Sequence, residues 1–116
     1  MNAIFIELPP FSRFRNNYLD DDAFHTLQKL LMESPQAGDV IVGTGGLRKL
    51  RFVDEQRNKG KRSGTRIIYY WWNQGSQFWL FTLYNKDEMS DLSVRECKLL
   101  SQMLRDELKT RGQYET

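Results

Sequence analysis

Lys49 and Arg51 stand two residues apart in Leu47-Arg48-Lys49-Leu50-Arg51-Phe52-Val53. In an extended strand, alternation sends Leu50 and Phe52 to one face and Lys49 and Arg51 to the other. Two cations fixed on pleated backbone form a rigid pair, unlike two on a loop. The chemistry open to such a pair is that of anions, phosphate above all. Eight basic residues lie between positions 48 and 66: Arg48, Lys49, Arg51, Arg57, Lys59, Lys61, Arg62 and Arg66. Only Asp54 and Glu55 oppose them, so this stretch carries +6 and the rest of the chain −4, within a formal net charge of +2. A concentrated cationic segment gathers a polyanion and makes its binding salt-dependent. The same run also reads as a solvated basic loop that keeps an edge strand soluble.

Other chemistries find less support. A single cysteine excludes an intramolecular disulfide framework and argues against a thiolate zinc site. A single histidine excludes His-pair acid–base catalysis within one chain. Cys97 falls on an apolar helical stripe and reads as packing, and His25 reads as a surface or half-buried side chain. Asp20, Asp21 and Asp22 would point in different directions on a helix, so capping explains them better than metal binding. Gly43, Gly45 and Gly46 supply a bend, but no Gly-Lys-Ser/Thr follows to make a phosphate-cradling loop. Asp87, Glu88 and Asp91 fit turn and helix-start roles. No metal or other cofactor is expected.

The elements that must position the cations follow from composition and pattern. With 116 residues, 40% apolar, 28% charged, and 7 Phe, 5 Tyr and 3 Trp, the chain is one folded domain with a small core. No apolar run approaches the roughly 20 residues of a membrane helix, and no secretory signal is visible, so the default address is cytoplasmic. Residues 2–8 read as a strand stopped by Pro9-Pro10. Phe11, Phe14, Tyr18 and Leu19 recur at helical spacing, and a second helix runs from the aspartates to about Met32, with Phe24, Leu27, Leu30 and Leu31 inward. Strand 47–53 follows, then a long loop over 54–65. Arg66 opens Ile67-Ile68-Tyr69-Tyr70-Trp71-Trp72, an apolar run suited to a central strand covered on both faces. Residues 73–76 make a hairpin turn into strand 77–84. Ser93 and Glu96 form a capping box opening a last helix, with Val94, Cys97, Leu100, Leu104 and Leu108 as its stripe and Leu99 and Met103 beside it. The expected fold is a single α+β two-layer domain over residues 1–116. Its order is β-α-α-β-β-β-α, with a mostly antiparallel four-stranded sheet, two N-terminal helices and a C-terminal helix.

This order, with Gly45-Gly-Leu-Arg-Lys-Leu-Arg51, Gly64-Thr-Arg-Ile-Ile-Tyr-Tyr70 and Tyr84-Asn-Lys-Asp-Glu-Met-Ser-Asp-Leu92 before the last helix, resembles RelE/HigB-type toxins of bacterial toxin–antitoxin pairs. The HigB-like branch is the nearer, and the resemblance spans roughly residues 3–108. It implies a RelE-like fold and a ribosome-dependent endoribonuclease that cuts translated mRNA in the decoding site and stops translation. It further implies a monomeric toxin held inactive by a cognate antitoxin, often a helix-turn-helix protein of the HigA kind.

In the RelE pattern, cationic side chains on the second and third sheet strands surround the scissile phosphate. Lys49 and Arg51 match its Lys-x-Lys pair, Arg66 the arginine opening the next strand, and Lys86 lies near a further arginine after the fourth. The family's tyrosine before the last helix is missing, since this chain reads Asp91-Leu92-Ser93 there. Tyr84 substitutes only if its side chain turns toward the same pocket. The resemblance thus makes Lys49, Arg51, Arg66, Lys86 and Tyr84 the catalytic candidates, while Arg48, Arg57, Lys59, Lys61 and Arg62 would grip RNA or ribosome phosphates. Of the aromatic run 69–72, at least two side chains belong to the core, and the outward pair is open to base stacking. A non-catalytic RNA-binding module using the same basic face is the alternative, and a toxin-derived domain that has lost cleavage is a third.

Overall fold

The computed structural model describes residues 2–53, 64–89 and 91–111. Strand β1 (Ile4–Glu7) ends at a proline pair that also begins the next element. Pro9 and Pro10 are the first two residues of helix α1 (Pro9–Tyr18). Proline is tolerated there because the first helical amides have no intrahelical acceptor. Helix α2 (Asp21–Glu33) starts at Asp20, whose carboxylate accepts from the Ala23 amide at 2.8 Å. The cap expected from the aspartates is therefore present. Ala23, Leu27 and Leu31, four residues apart, form the buried row, with Phe24 and Leu30 half-buried beside it.

A two-residue strand, β2 (Asp39–Val40), follows, then β3 (Arg48–Phe52), β4 (Thr65–Trp72), β5 (Gln77–Asn85) and helix α3 (Val94–Arg111). The sheet order is β1-β5-β4-β3-β2. β1 joins β5 in parallel, and the other three pairings are antiparallel. The fold is α+β as expected, but the sheet is five-stranded and mixed rather than four-stranded. The extra strand is β2, too short to show alternation in the sequence.

The sheet is covered on both faces, which replaces the expected two layers by three. Ile67 and Tyr69 of β4 point into one core with Phe78, Leu80, Phe11, Leu27 and Leu31 from β5, α1 and α2. Ile68 and Trp72 point into the other with Trp79, Phe81, Leu100 and Leu104 from β5 and α3. This explains the unbroken apolar run: both faces of a central strand need apolar side chains. Two of the four aromatics lie in the cores, as expected, and the pair read as outward is packed on β5. Tyr69 and Trp72 are buried, and the other two are half-buried, Trp71 against Phe78 at 4.4 Å and Tyr70 against Trp79 at 5.3 Å between ring centroids.

Helix α3 opens with the reciprocal capping box. The Glu96 amide donates to Ser93 Oγ at 3.1 Å, and the Ser93 amide donates to Glu96 Oε1 at 2.8 Å. Its buried face is narrower than the stripe read from the sequence. Leu100, Ser101 and Leu104 are buried, whereas Val94 (74% exposed) and Leu99 (58%) face outward. Val94 stands in the first turn, at the end of the helix, and Leu99 lies off the buried face. Among the described residues, no helix is long and apolar enough to cross a membrane.

Candidate functional site

Strand register decides which cations meet. Arg51 pairs directly with Arg66 across β3 and β4, and Arg66 pairs directly with Tyr84 across β4 and β5. Direct cross-strand partners share a face, with Cβ atoms about 4.5–5.5 Å apart. Arg51, Arg66 and Tyr84 thus form one row across three strands. Lys49 pairs with Ile68, which in turn pairs with Thr82, so a second row lies beside the first on the same face. Ile68 belongs to the core under α3. The cationic face is therefore the α3 face, at the end of the sheet where the chain passes from β5 into that helix.

A register shift between Ile68 and Tyr69 makes this possible. Ile68 pairs with Thr82 but Tyr69 with Leu80, so Phe81 is the extra residue of a β-bulge. Phe81 packs on the α3 face, and so does the next odd–even partner, Tyr84. Without the extra residue, simple alternation from Trp79 would send Tyr84 to the other face.

The local electrostatics are specific. Lys49 Nζ donates to Asp91 Oδ1 at 3.0 Å, and the Leu92 amide donates to the same oxygen at 2.8 Å. These two bonds, Lys49's first, hold the Asp91 carboxyl below its usual range, and the nearby Arg66 charge acts in the same direction. Tyr84 is only 5% exposed, and its buried hydroxyl has no hydrogen-bond partner among the described residues. Burial pushes the phenol above its ordinary value; the Asp91 charge adds to this and the Arg66 charge opposes it. Tyr84 is thus a neutral proton donor near neutral pH, not a ready base. Arg66 is half-buried, with a long contact of 3.5 Å from Nη1 to the Gly64 carbonyl, while Arg51 is exposed.

The other candidates divide. Arg48 lies on the opposite face, where its guanidinium donates to the carbonyls of Gln36 at 2.8 Å and Gly38 at 3.2 Å. It ties the segment after α2 to β3, and the structure does not bring it to the cationic face. Lys86 is exposed just beyond the end of β5. Arg57, Lys59, Lys61 and Arg62, with the long loop expected over 54–65, fall almost wholly outside the described residues. Asp91 is the member that sequence reasoning missed. One acidic residue before a capping box looks like a turn residue, and only the packing of α3 on the Lys49 face brings it to the cations.

An apolar groove of about 410 Å³ adjoins the site between α1 and α3, lined by Phe14, Tyr18, Tyr84, Met89, Leu92 and Leu99 among others. At its border the Tyr18 hydroxyl donates to Glu88 Oε1 at 2.6 Å. The groove is mostly apolar, whereas the neighbouring rows hold the cations. Among the described residues, no group of three or more His, Cys, Asp or Glu side chains stands together as a metal site would require. No protein-family model matches the chain.

Proposed function

We propose that this chain is an endoribonuclease of the RelE/HigB type: a toxin that cleaves translated mRNA in the ribosomal decoding site and is neutralised by a cognate antitoxin. The observation that supports this most is the row Arg51–Arg66–Tyr84 with Lys49 beside it on one rigid face. RNA supplies its own nucleophile. The 2′-hydroxyl attacks the adjacent phosphorus, the bond to the 5′-oxygen breaks, and a 2′,3′-cyclic phosphate and a 5′-hydroxyl result. The protein must orient that attack, stabilise charge on the phosphate oxygens, and protonate the leaving oxygen.

Arg66 suits bidentate contact with the phosphate, and Arg51 across from it adds a second guanidinium. Lys49 supplies a compact charge two pairs along on the same face. Tyr84, kept neutral by burial, suits donation to the leaving oxygen once substrate reaches its hydroxyl. Lys86 and the cations of segment 57–62 would contact flanking phosphates. The site would act in the cytoplasm, where translating ribosomes are.

Expressed in a bacterial host, the chain should arrest growth, and primer extension should find discrete cuts in translated messages. Arg66→Ala should lower the cleavage rate by about 10²–10³, the usual consequence of removing one donor to a developing oxyanion. Growth arrest that survives simultaneous loss of Lys49, Arg51 and Arg66 would refute the assignment. The enclosed Tyr84 hydroxyl favours one further reading, a non-catalytic module that binds RNA or ribosomes with the same face. Ribosome binding without cuts in any message would decide for it.

A further inference from the structure

We propose that Asp91 is an internal stand-in for the substrate phosphate. Its carboxylate occupies the anion position of the Lys49–Arg66 face, and an RNA phosphate must displace it before that face can act. The inference rests on the nucleic-acid reading above and concerns the regulation of that same site.

Three observations converge on this residue. First, the anion comes from outside the sheet. Asp91 lies in the connection between β5 and α3, yet its Oδ1 is 3.0 Å from Lys49 Nζ on β3, 42 residues away in sequence. Second, the pair is lopsided. The lysine side chain is 33% exposed, seated on the strand, whereas the aspartate is 65% exposed. The pair can therefore open by movement of the carboxylate alone, leaving the cation where it is. Third, the Tyr84 hydroxyl near this carboxylate is buried and has no acceptor among the described residues. A phosphate has more oxygens to offer than one carboxylate and can provide the acceptor this state lacks.

The strength of the contact suits a replaceable occupant. An exposed ion pair of this kind lowers the affinity of a competing anion by at most about fivefold. The Leu92 amide at 2.8 Å fixes the carboxylate's position without adding charge. Asp91 thus screens the site from stray anions weakly, while a polyanion carried in by other contacts overcomes it.

The test is binding of a labelled single-stranded oligoribonucleotide with 2′-O-methyl sugars, which cannot be cleaved, followed by fluorescence anisotropy at low salt. Asp91→Asn keeps the shape and an acceptor for Leu92 but removes the charge; Asp91→Ala removes both. Each should tighten binding by about two- to fivefold, and the gain should vanish in a Lys49→Ala background. Unchanged or weaker binding in both variants would overturn the proposal and make Asp91 a positioning residue for Lys49. A gain that persists without Lys49 would overturn it too, as a general charge effect. If Lys49→Ala and Arg66→Ala leave the affinity at the wild-type value, the nucleic-acid face itself is wrong and the stand-in falls with it. If they weaken binding while Asp91→Asn does not tighten it, only the stand-in falls.

Discussion

Two tyrosines illustrate how single side chains serve opposite ends here. Tyr69 is fully buried on the α1/α2 face and donates to the carbonyls of Ala37 at 2.6 Å and Pro35 at 3.1 Å. Burial pushes its phenol up to about 12, and the Arg48 charge opposes this as the smaller influence. A raised folded-state value means the neutral form is favoured by folding. That stabilisation is fully present below the unfolded value near 10 and is lost as pH rises toward about 12. Tyr69→Phe should cost about 1–2 kcal/mol at neutral pH and flatten the decline in stability over that alkaline window, as read by urea unfolding at a series of pH values. An equally steep decline in the variant would assign the effect elsewhere. Tyr18, raised to about 12 by burial and by Glu88, contributes in the same window, so some slope remains. Tyr84 differs because its buried hydroxyl has no acceptor among the described residues, so it adds no hydrogen bond there to hold the fold.

Among the elements, β3 depends on what lies beside it. Gly38 adopts φ +85°, and a Cβ there would collide with the Lys49 carbonyl and crowd Leu50 Cα. Gly38→Ala should destabilise the protein by more than about 1 kcal/mol and weaken RNA binding with it, because the clash falls on the strand that carries Lys49. Calorimetry and anisotropy check the two arms. At the other border of the site, Ser93→Ala removes half of the capping box and should cost about 1 kcal/mol, seen as a lower urea midpoint. These elements were unequally legible. The capping box, the Asp20 cap and the alternation that parts Lys49 and Arg51 from Leu50 and Phe52 are local rules written in adjacent residues, and the sequence displays them. β2 has two residues and displays nothing. The bulge at Phe81, which sets the face of Tyr84, depends on pairing with a strand elsewhere in the chain, and no local pattern announces it. Arg48 and Lys49 look equivalent in the charge run, yet alternation and the segment 36–38 give the first an anchoring role on the far face.

At the scale of the whole molecule, one sheet is shared by two cores, and the cationic rows run along the α3 face from its buried core to the exposed Arg51. Leu27→Ala empties one core and Leu104→Ala the other; each should cost about 2–5 kcal/mol. Because the adjacent residues Ile67 and Ile68 tie opposite faces of a single strand to different cores, both variants should lower one common unfolding transition. Coincident near-UV and far-UV melting curves check this, and separated transitions would indicate two independent units. The same sharing means that β4 and β5 are held from both sides, while β3 gives Leu50 and Phe52 to the α1/α2 core. The most direct test of the site's chemistry uses purified protein and ribosomes programmed with a defined message, with the termini of the RNA examined after incubation. The expected result is cleavage leaving 2′,3′-cyclic phosphate and 5′-hydroxyl ends, lost in the Lys49→Ala/Arg51→Ala/Arg66→Ala triple variant that still unfolds cooperatively. Intact message with the wild-type chain, or equal cleavage by the triple variant, would contradict it.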